Sequence, residues 1–223
     1  MSSSSNNLFQ SSVGRKIVMS LSGLFLITFI AVHLLVNSFS LGFGWDGREL
    51  FNEGSHFMAT NPLIQVMQYV LAAGFIIHIV MGIKLTIQNN EARPIKYAYN
   101  KPEVNSSFSS RSMIITGLLV LLFLILHIKD FFVEIKFNDL GGLPSDYDLL
   151  LAVFSNPIYV GLYVFAFIAL GIHLNHGFQS AFQSLGLNHK KYNSLIQNAG
   201  RAFCIIVALG FSLIAIVHYV NSL

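Results

Sequence analysis

Histidine is the residue type in this 223-residue chain best suited to chemistry, and its distribution is uneven. Of eight histidines, His33, His78, His127, His173, His176 and His218 fall inside long apolar stretches, while His56 and His189 fall in loops. An ionisable group within a membrane-spanning stretch points to function, and imidazole is the commonest metal ligand among side chains. The single cysteine, Cys204, excludes an internal disulfide, a Cys-x-x-Cys-His haem attachment and a cysteine-ligated iron–sulfur cluster. Electron chemistry here would therefore use histidine ligands. A lone membrane histidine serves as readily in a helix-to-helix hydrogen bond as in a metal site, so the spacing has to decide.

His78 lies sixteen residues beyond Pro62, and His173 sixteen beyond Pro157. Helices that enter from the same side and rise about 1.5 Å per residue bring these two imidazoles to one depth. His33 and His127 sit late in segments running the other way, at a second depth. A repeat supports the same grouping: Ser22-Gly23-Leu24 precedes His33 as Thr116-Gly117-Leu118 precedes His127, each glycine ten residues before its histidine. Asn61-Pro62, His78 and Gly82 match Asn156-Pro157, His173 and Gly177 in the same way. These glycines remove bulk one or a few turns from an imidazole, as a flat macrocycle between helices requires. Four histidines converging on one non-haem metal would share one depth. Two pairs at two levels fit two bis-histidine b-type haems.

The elements that must position these pairs follow from composition. Hydrophobic residues make up 54% of the chain and charged residues 10%, with a mean hydropathy of +0.63, far from a soluble domain. Five stretches, about 16–41, 62–87, 112–133, 157–182 and 199–220, are long enough to cross roughly 30 Å of hydrocarbon as helices. None alternates with period two, so the expected fold is an all-α integral membrane protein of five transmembrane helices, the first four forming the haem-binding bundle. Residues 1–15 read as a polar cytoplasmic tail and 16–223 as the membrane domain. The first span follows Arg15 and Lys16 but is too long for a signal peptide and lacks a small-residue cleavage site.

With the N-terminus inside, Arg15, Lys16, Lys84, Arg93, Lys96, Lys101, Arg111, Lys190, Lys191 and Arg201 lie on the cytoplasmic side. Only Arg48, Lys129 and Lys136 remain outside, the asymmetry of a multi-pass protein of a bacterial cytoplasmic membrane. Among the acidic residues only Glu91 and Glu103 lie inside, so Asp130 is read as an outer residue. The positive balance thus reflects topology; no nucleic-acid module is visible, and a basic inner face suits anionic lipid or a docked soluble partner.

The segments Ser22-Gly23-Leu24 through His33-Leu34 to Asn37, Phe75 through His78 to Gly82, Ser110-Arg111-Ser112 through Gly117 to His127, and His173 through His176-Gly177 resemble a known family. It comprises the single-chain, five-helix, b558-type dihaem cytochrome b subunits of bacterial succinate:menaquinone and fumarate reductases. The resemblance implies His33 and His127 as axial ligands of an outer haem, and His78 and His173 as those of an inner one. It also implies a flavoprotein with FAD and the dicarboxylate site, and an iron–sulfur protein, docked on the cytoplasmic face. This chain would anchor them in the lipid and pass electrons to or from a quinone such as menaquinone. One departure stands out: some fumarate reductase members carry a glutamate two residues before the fourth ligand, where this chain has Gly171.

His176, one turn from His173, is left to a haem propionate or a neighbouring helix, and Arg15, Ser22, Lys84 and Arg111 are the other inner-side cofactor contacts to test. Near the outer end, Asn37, Glu53, His56 and His218 are the polar candidates for a quinone site. A cytochrome b subunit of a hydrogenase or formate dehydrogenase is the alternative redox reading. A non-redox transporter is the other, though transporters place charges or broken helices at midplane.

Overall fold

The computed structural model describes residues 11–91, 112–187 and 189–223, which are helices and short connections without a strand. Helix α1 (Ser12–Ser38) starts where Ser11 Oγ accepts from the Gly14 amide at 2.9 Å, and runs into a 3-10 turn, Phe39–Leu41. Gly42, at φ 78°, ends it; a Cβ there would meet the Trp45 carbonyl at 2.6 Å. Then follow α2 (Gly47–Thr60) and α3 (Pro62–Glu91). Next come α4 (Met113–His127), a π-helical turn Ile128–Val133 and α5 (Glu134–Phe137). The chain ends with α6 (Asp146–Phe154), α7 (Pro157–Ser184) and α8 (Asn193–Asn221).

The Asn-Pro repeat is a helix start used twice. Asn61 Oδ1 accepts from the Leu63 amide at 3.0 Å and Asn156 Oδ1 from the Ile158 amide at 2.9 Å. In each case proline occupies the first helical position, where no N–H is needed.

Ser12–Leu41, Pro62–Asn89, Pro157–Ser184 and Asn193–Asn221 are long and apolar enough to cross a membrane. The segment 112–133 differs from a plain span: its α-helical part, α4, is 15 residues long, and the path continues through the π-turn into α5 with helical backbone angles on both sides. Apolar side chains such as Leu35, Ile76, Ile115 and Leu209 point outward, as they do where hydrocarbon is the solvent and burial no longer sorts apolar residues inward.

Helix α1 packs on α3, α7 and α8, and α7 packs on α4 and α8. Between α7 and α8 the approach is close at Gly171, where a Cβ would come within 3.1 Å of the Ala208 Cβ and 3.4 Å of the Cys204 carbonyl. Gly171→Glu should therefore push α7 from α8. We expect thermal unfolding of the variant in detergent to shift down by the overpacking cost of about 1–3 kcal/mol or more, and an unchanged midpoint would contradict this packing.

The sequence reading assigns no helix to the loops after the first and third spans, yet α2 and α6 form there and lock together across the His33 end. Arg48 Nη1 donates to both oxygens of Asp148 at 2.7 Å, Ser55 donates to Asp146, and Asn52 Oδ1 accepts from the Tyr147 amide at 3.1 Å. The Ser145 hydroxyl and then the Arg48 guanidinium hold the Asp148 carboxyl below its ordinary range. The Asp148 hydrogen bond raises Arg48 in turn.

Candidate paired-histidine site

The four repeat histidines meet two by two. His78 on α3 lies against His173 on α7, ring centroids 6.4 Å apart and planes at 77°. His33 on α1 lies against His127 at the end of α4, 5.7 Å apart and at 84°. The helices bearing each pair do not pack closely on one another; α1 bridges α3 to α7, and α7 bridges α1 to α4. Each pair thus reaches into space between two separated backbones.

At the His78 level the hydroxyl-glycine repeat acts on the neighbouring helix rather than on its own histidine. Ser22 Oγ lies 3.2 Å from His78 Nδ1, and Thr116 Oγ1 3.4 Å from His173 Nδ1. A Cβ on Gly23 would approach His78 Cε1 at 3.4 Å, and one on Gly117 would approach His173 Cε1 at 3.2 Å. Both hydroxyl protons are already spent, Ser22 donating to the Met19 carbonyl at 3.0 Å and Thr116 to that of Ser112 at 3.0 Å. The hydroxyl oxygens are then acceptors, so each Nδ1–H donates and each Nε2 lone pair is left unused by these contacts. Gly82 and Gly177 have looser surroundings: a Cβ would meet only Met19 Cε at 3.6 Å in one case and nothing within 4 Å in the other.

The His33 level is lined by aromatic rings. Phe29 stacks on His33 at 5.2 Å, Phe211 lies 5.7 Å from it, and Phe123, Phe131 and Tyr163 surround His127 at 5.6, 5.2 and 6.3 Å. Asn37 donates to the His33 carbonyl at 2.8 Å, with the same amide nitrogen 3.5 Å from His33 Nδ1. His127 Nδ1 is buried and finds no hydrogen-bond partner. Eleven residues separate Ser22 from His33 and Thr116 from His127, so both helices place the two levels about 16 Å apart.

The sequence reading misses Asp130. It is 6% exposed inside the π-turn and accepts from the Tyr163 hydroxyl at 2.9 Å. From sequence it reads as an outer charge at the end of the 112–133 span, and the π-turn that buries it leaves no helical spacing to reveal its face.

The remaining candidates separate. Ser40 donates to the Asn37 carbonyl at 2.7 Å, and its oxygen lies 2.9 Å from Nε2 of the fully buried His218, so Asn37 and His218 share one network. Glu53 and His56 stand exposed on α2, away from it. Ser22 is taken up by His78; Lys84 is exposed, Arg15 and His176 are half-buried, and Arg111 lies outside the described residues.

The fold and site define a class: a multi-pass helical membrane protein that pairs imidazoles across facing helices at two levels. The chain is 26% identical over 162 residues, 71% of its length and 72% of the relative's, to the succinate dehydrogenase cytochrome b558 subunit of Bacillus subtilis (strain 168). That relative is, by its name, a cytochrome b subunit of succinate dehydrogenase, and the similarity extends over most of both chains. No family model matches the chain, and no solved structure matches it significantly.

Proposed function

We propose that this chain is the dihaem, five-span cytochrome b subunit of a succinate:quinone oxidoreductase, with its N-terminus in the cytoplasm. The observation that carries the reading is the geometry of the two histidine pairs. Two imidazoles on opposite sides of one metal, each nitrogen about 2 Å away, have ring centroids about 6 Å apart; the pairs stand at 6.4 and 5.7 Å. Two imidazoles are too few for a first-row metal bound by protein alone, which takes about four donors, whereas a haem brings four nitrogens and asks for two more. The residues present therefore fit b-type haem, His78 and His173 holding the inner one, His33 and His127 the outer. Bound there, the haems supply reversible one-electron transfer across the bilayer.

The protein's own part is orientation and exclusion of water. Ser22, Thr116, Gly23 and Gly117 fix the inner imidazoles, and the phenylalanine ring cluster keeps the outer pair dry. The helical path through α4, the π-turn and α5 serves as the third of five spans, with His127 where α4 passes into the π-turn. A flavoprotein and an iron–sulfur subunit dock on the basic cytoplasmic side, and quinone, menaquinone in this reading, exchanges electrons with the chain.

The test is a reduced-minus-oxidised absorption spectrum of the purified membrane protein, read with its copurifying partners. We expect b-type haem at two per chain together with a flavin subunit and an iron–sulfur subunit. A colourless preparation would remove the redox reading, and haem with hydrogenase or formate dehydrogenase subunits would replace it with the alternative.

A further inference from the structure

Resting on the two-haem reading, we propose that Asp130, fixed by Tyr163, lowers the reduction potential of the haem at the His33–His127 level below that of the other. Asp130 is the buried carboxylate among the described residues, three positions after His127. Tyr163, 1% exposed, donates to its Oδ2 at 2.9 Å and carries a ring 6.3 Å from that of His127. The other oxygen faces Lys129 Nζ at 3.3 Å. Two donors, one of them cationic, meeting two oxygens is the arrangement a carboxylate anion takes.

The ion pair does not cancel the charge, because its halves have different surroundings. The Lys129 side chain is 68% exposed and the Asp130 side chain 4%. Water and salt screen the ammonium, while the carboxylate acts through a low-dielectric interior. A buried carboxylate is expensive unless it is compensated, and a neutral hydrogen-bonding residue would tie α7 to the π-turn as well. At the His78–His173 level the polar groups against the imidazoles are the neutral hydroxyls of Ser22 and Thr116. Asp130 is thus a fixed negative charge at one level with no counterpart among the contacts to the imidazoles of the other. Ferric haem carries one more positive charge than ferrous, so the anion favours the oxidised form on the Asp130 side. The step is the gain of one electron with no bond made or broken; Asp130 shifts only its equilibrium.

The experiment is a redox titration of haem absorbance in the intact membrane complex, wild type against Asp130→Asn and Tyr163→Phe. Asp130→Asn keeps a hydrogen-bond acceptor for Tyr163 and removes the charge. We expect the lower-potential component to move up, its reduction equilibrium constant rising about tenfold or more, while the higher component stays. Tyr163→Phe, which loosens the carboxylate and lets it meet water, should move the same component up by less. A merely structural tie predicts the reverse order, with Tyr163→Phe disturbing the site and Asp130→Asn leaving the potential unmoved, and that result overturns the proposal. A shift confined to the higher component also overturns it. If Asp130→Asn fails to assemble, Tyr163→Phe decides, with an unmoved lower component counting against the proposal. Failure of the two-haem reading would show separately, as a wild-type protein without two reducible b-type components.

Discussion

Under the proposed two-haem assignment, replacing His78 or His173 by alanine should remove one haem component, the same one in both variants, and replacing His33 or His127 should remove the other. The reason is geometric: the rings meet as His78 with His173 and His33 with His127, at levels about 16 Å apart along the helix axes. No single macrocycle spans both levels. A bis-histidine site that loses one ligand keeps only one protein bond to iron, so the expected effect is loss of that component rather than a shift. The hydroxyls give a graded comparison. Ser22→Ala and Thr116→Ala leave both ligands in place but free the Nδ1 protons, and removal of such outer partners typically weakens a metal site about 10–100-fold. These variants should therefore lose the inner haem on dilution or in detergent and keep the outer. Low-temperature difference spectra read both components at once. Loss of one and the same component from the His33 and His78 variants would sink the pairing, and an inner component indifferent to Ser22 and Thr116 would sink the account of its tautomer.

Much of this arrangement is legible in the sequence because it is periodic. The apolar lengths, the two Asn-Pro starts and the matched histidine depths are one-dimensional quantities, and the helices built on them begin at Pro62 and Pro157. What is not legible depends on rotation about a helix axis. Ser22, Gly23, Thr116 and Gly117 stand out as a repeat, but nothing along the chain says that they serve the imidazole of the next span. Only the packing of α1 on α3 and of α4 on α7 makes that contact. Asp130 is obscured differently: near the end of a span a charge reads as loop, and the π-turn that buries it breaks the helical period from which its face would be inferred. Arg48 and Asp148 are a hundred residues apart, so their pairing, and with it the cap made by α2 and α6, has no local signature. The departure at Gly171 is visible as a missing carboxylate, and its physical cause, the approach of Ala208 on α8, needs the fold.

Substituting His218 should lower quinone-linked turnover roughly tenfold or more, whereas Glu53→Gln and His56→Ala should leave it nearly unchanged. All three residues lie near the His33 end, the outer one in the proposed topology, and the structure separates them. A polar cleft of about 420 Å³ opens there, lined by Ser40, Trp45, Arg48, Tyr147 and Asn221, and an apolar groove of about 320 Å³ runs beside it between α1 and α8, with Leu34, Leu35 and Leu213 in its wall. The two share Leu41, an adjacency that suits a polar ring carrying an isoprenoid tail. His218 sits behind the cleft against Ser40 and Tyr147, and its Nδ1 is buried without a partner. Because the Ser40 hydroxyl proton goes to Asn37, Nε2 of His218 is the donor to Ser40, so His218, itself buried behind the wall, would act on a quinone in the cleft through Ser40 and Tyr147, which line it. Loss of the buried hydrogen bond that fixes Ser40 in the cleft wall, about 1–3 kcal/mol, gives the tenfold figure. Glu53 and His56 are exposed on α2 and line neither cleft. The location has an energetic consequence: an electron carried from the cytoplasmic partner to an outer quinone crosses the membrane potential, worth roughly 2.3 kcal/mol per 100 mV. Succinate oxidation with a soluble electron acceptor should be insensitive both to the His218 variant and to collapse of the potential, while reduction of added menaquinone analogue responds to each. Equal quinone turnover in the wild type and the His218 variant, with a quinone-competitive inhibitor crosslinking on the cytoplasmic side, would rule the outer site out.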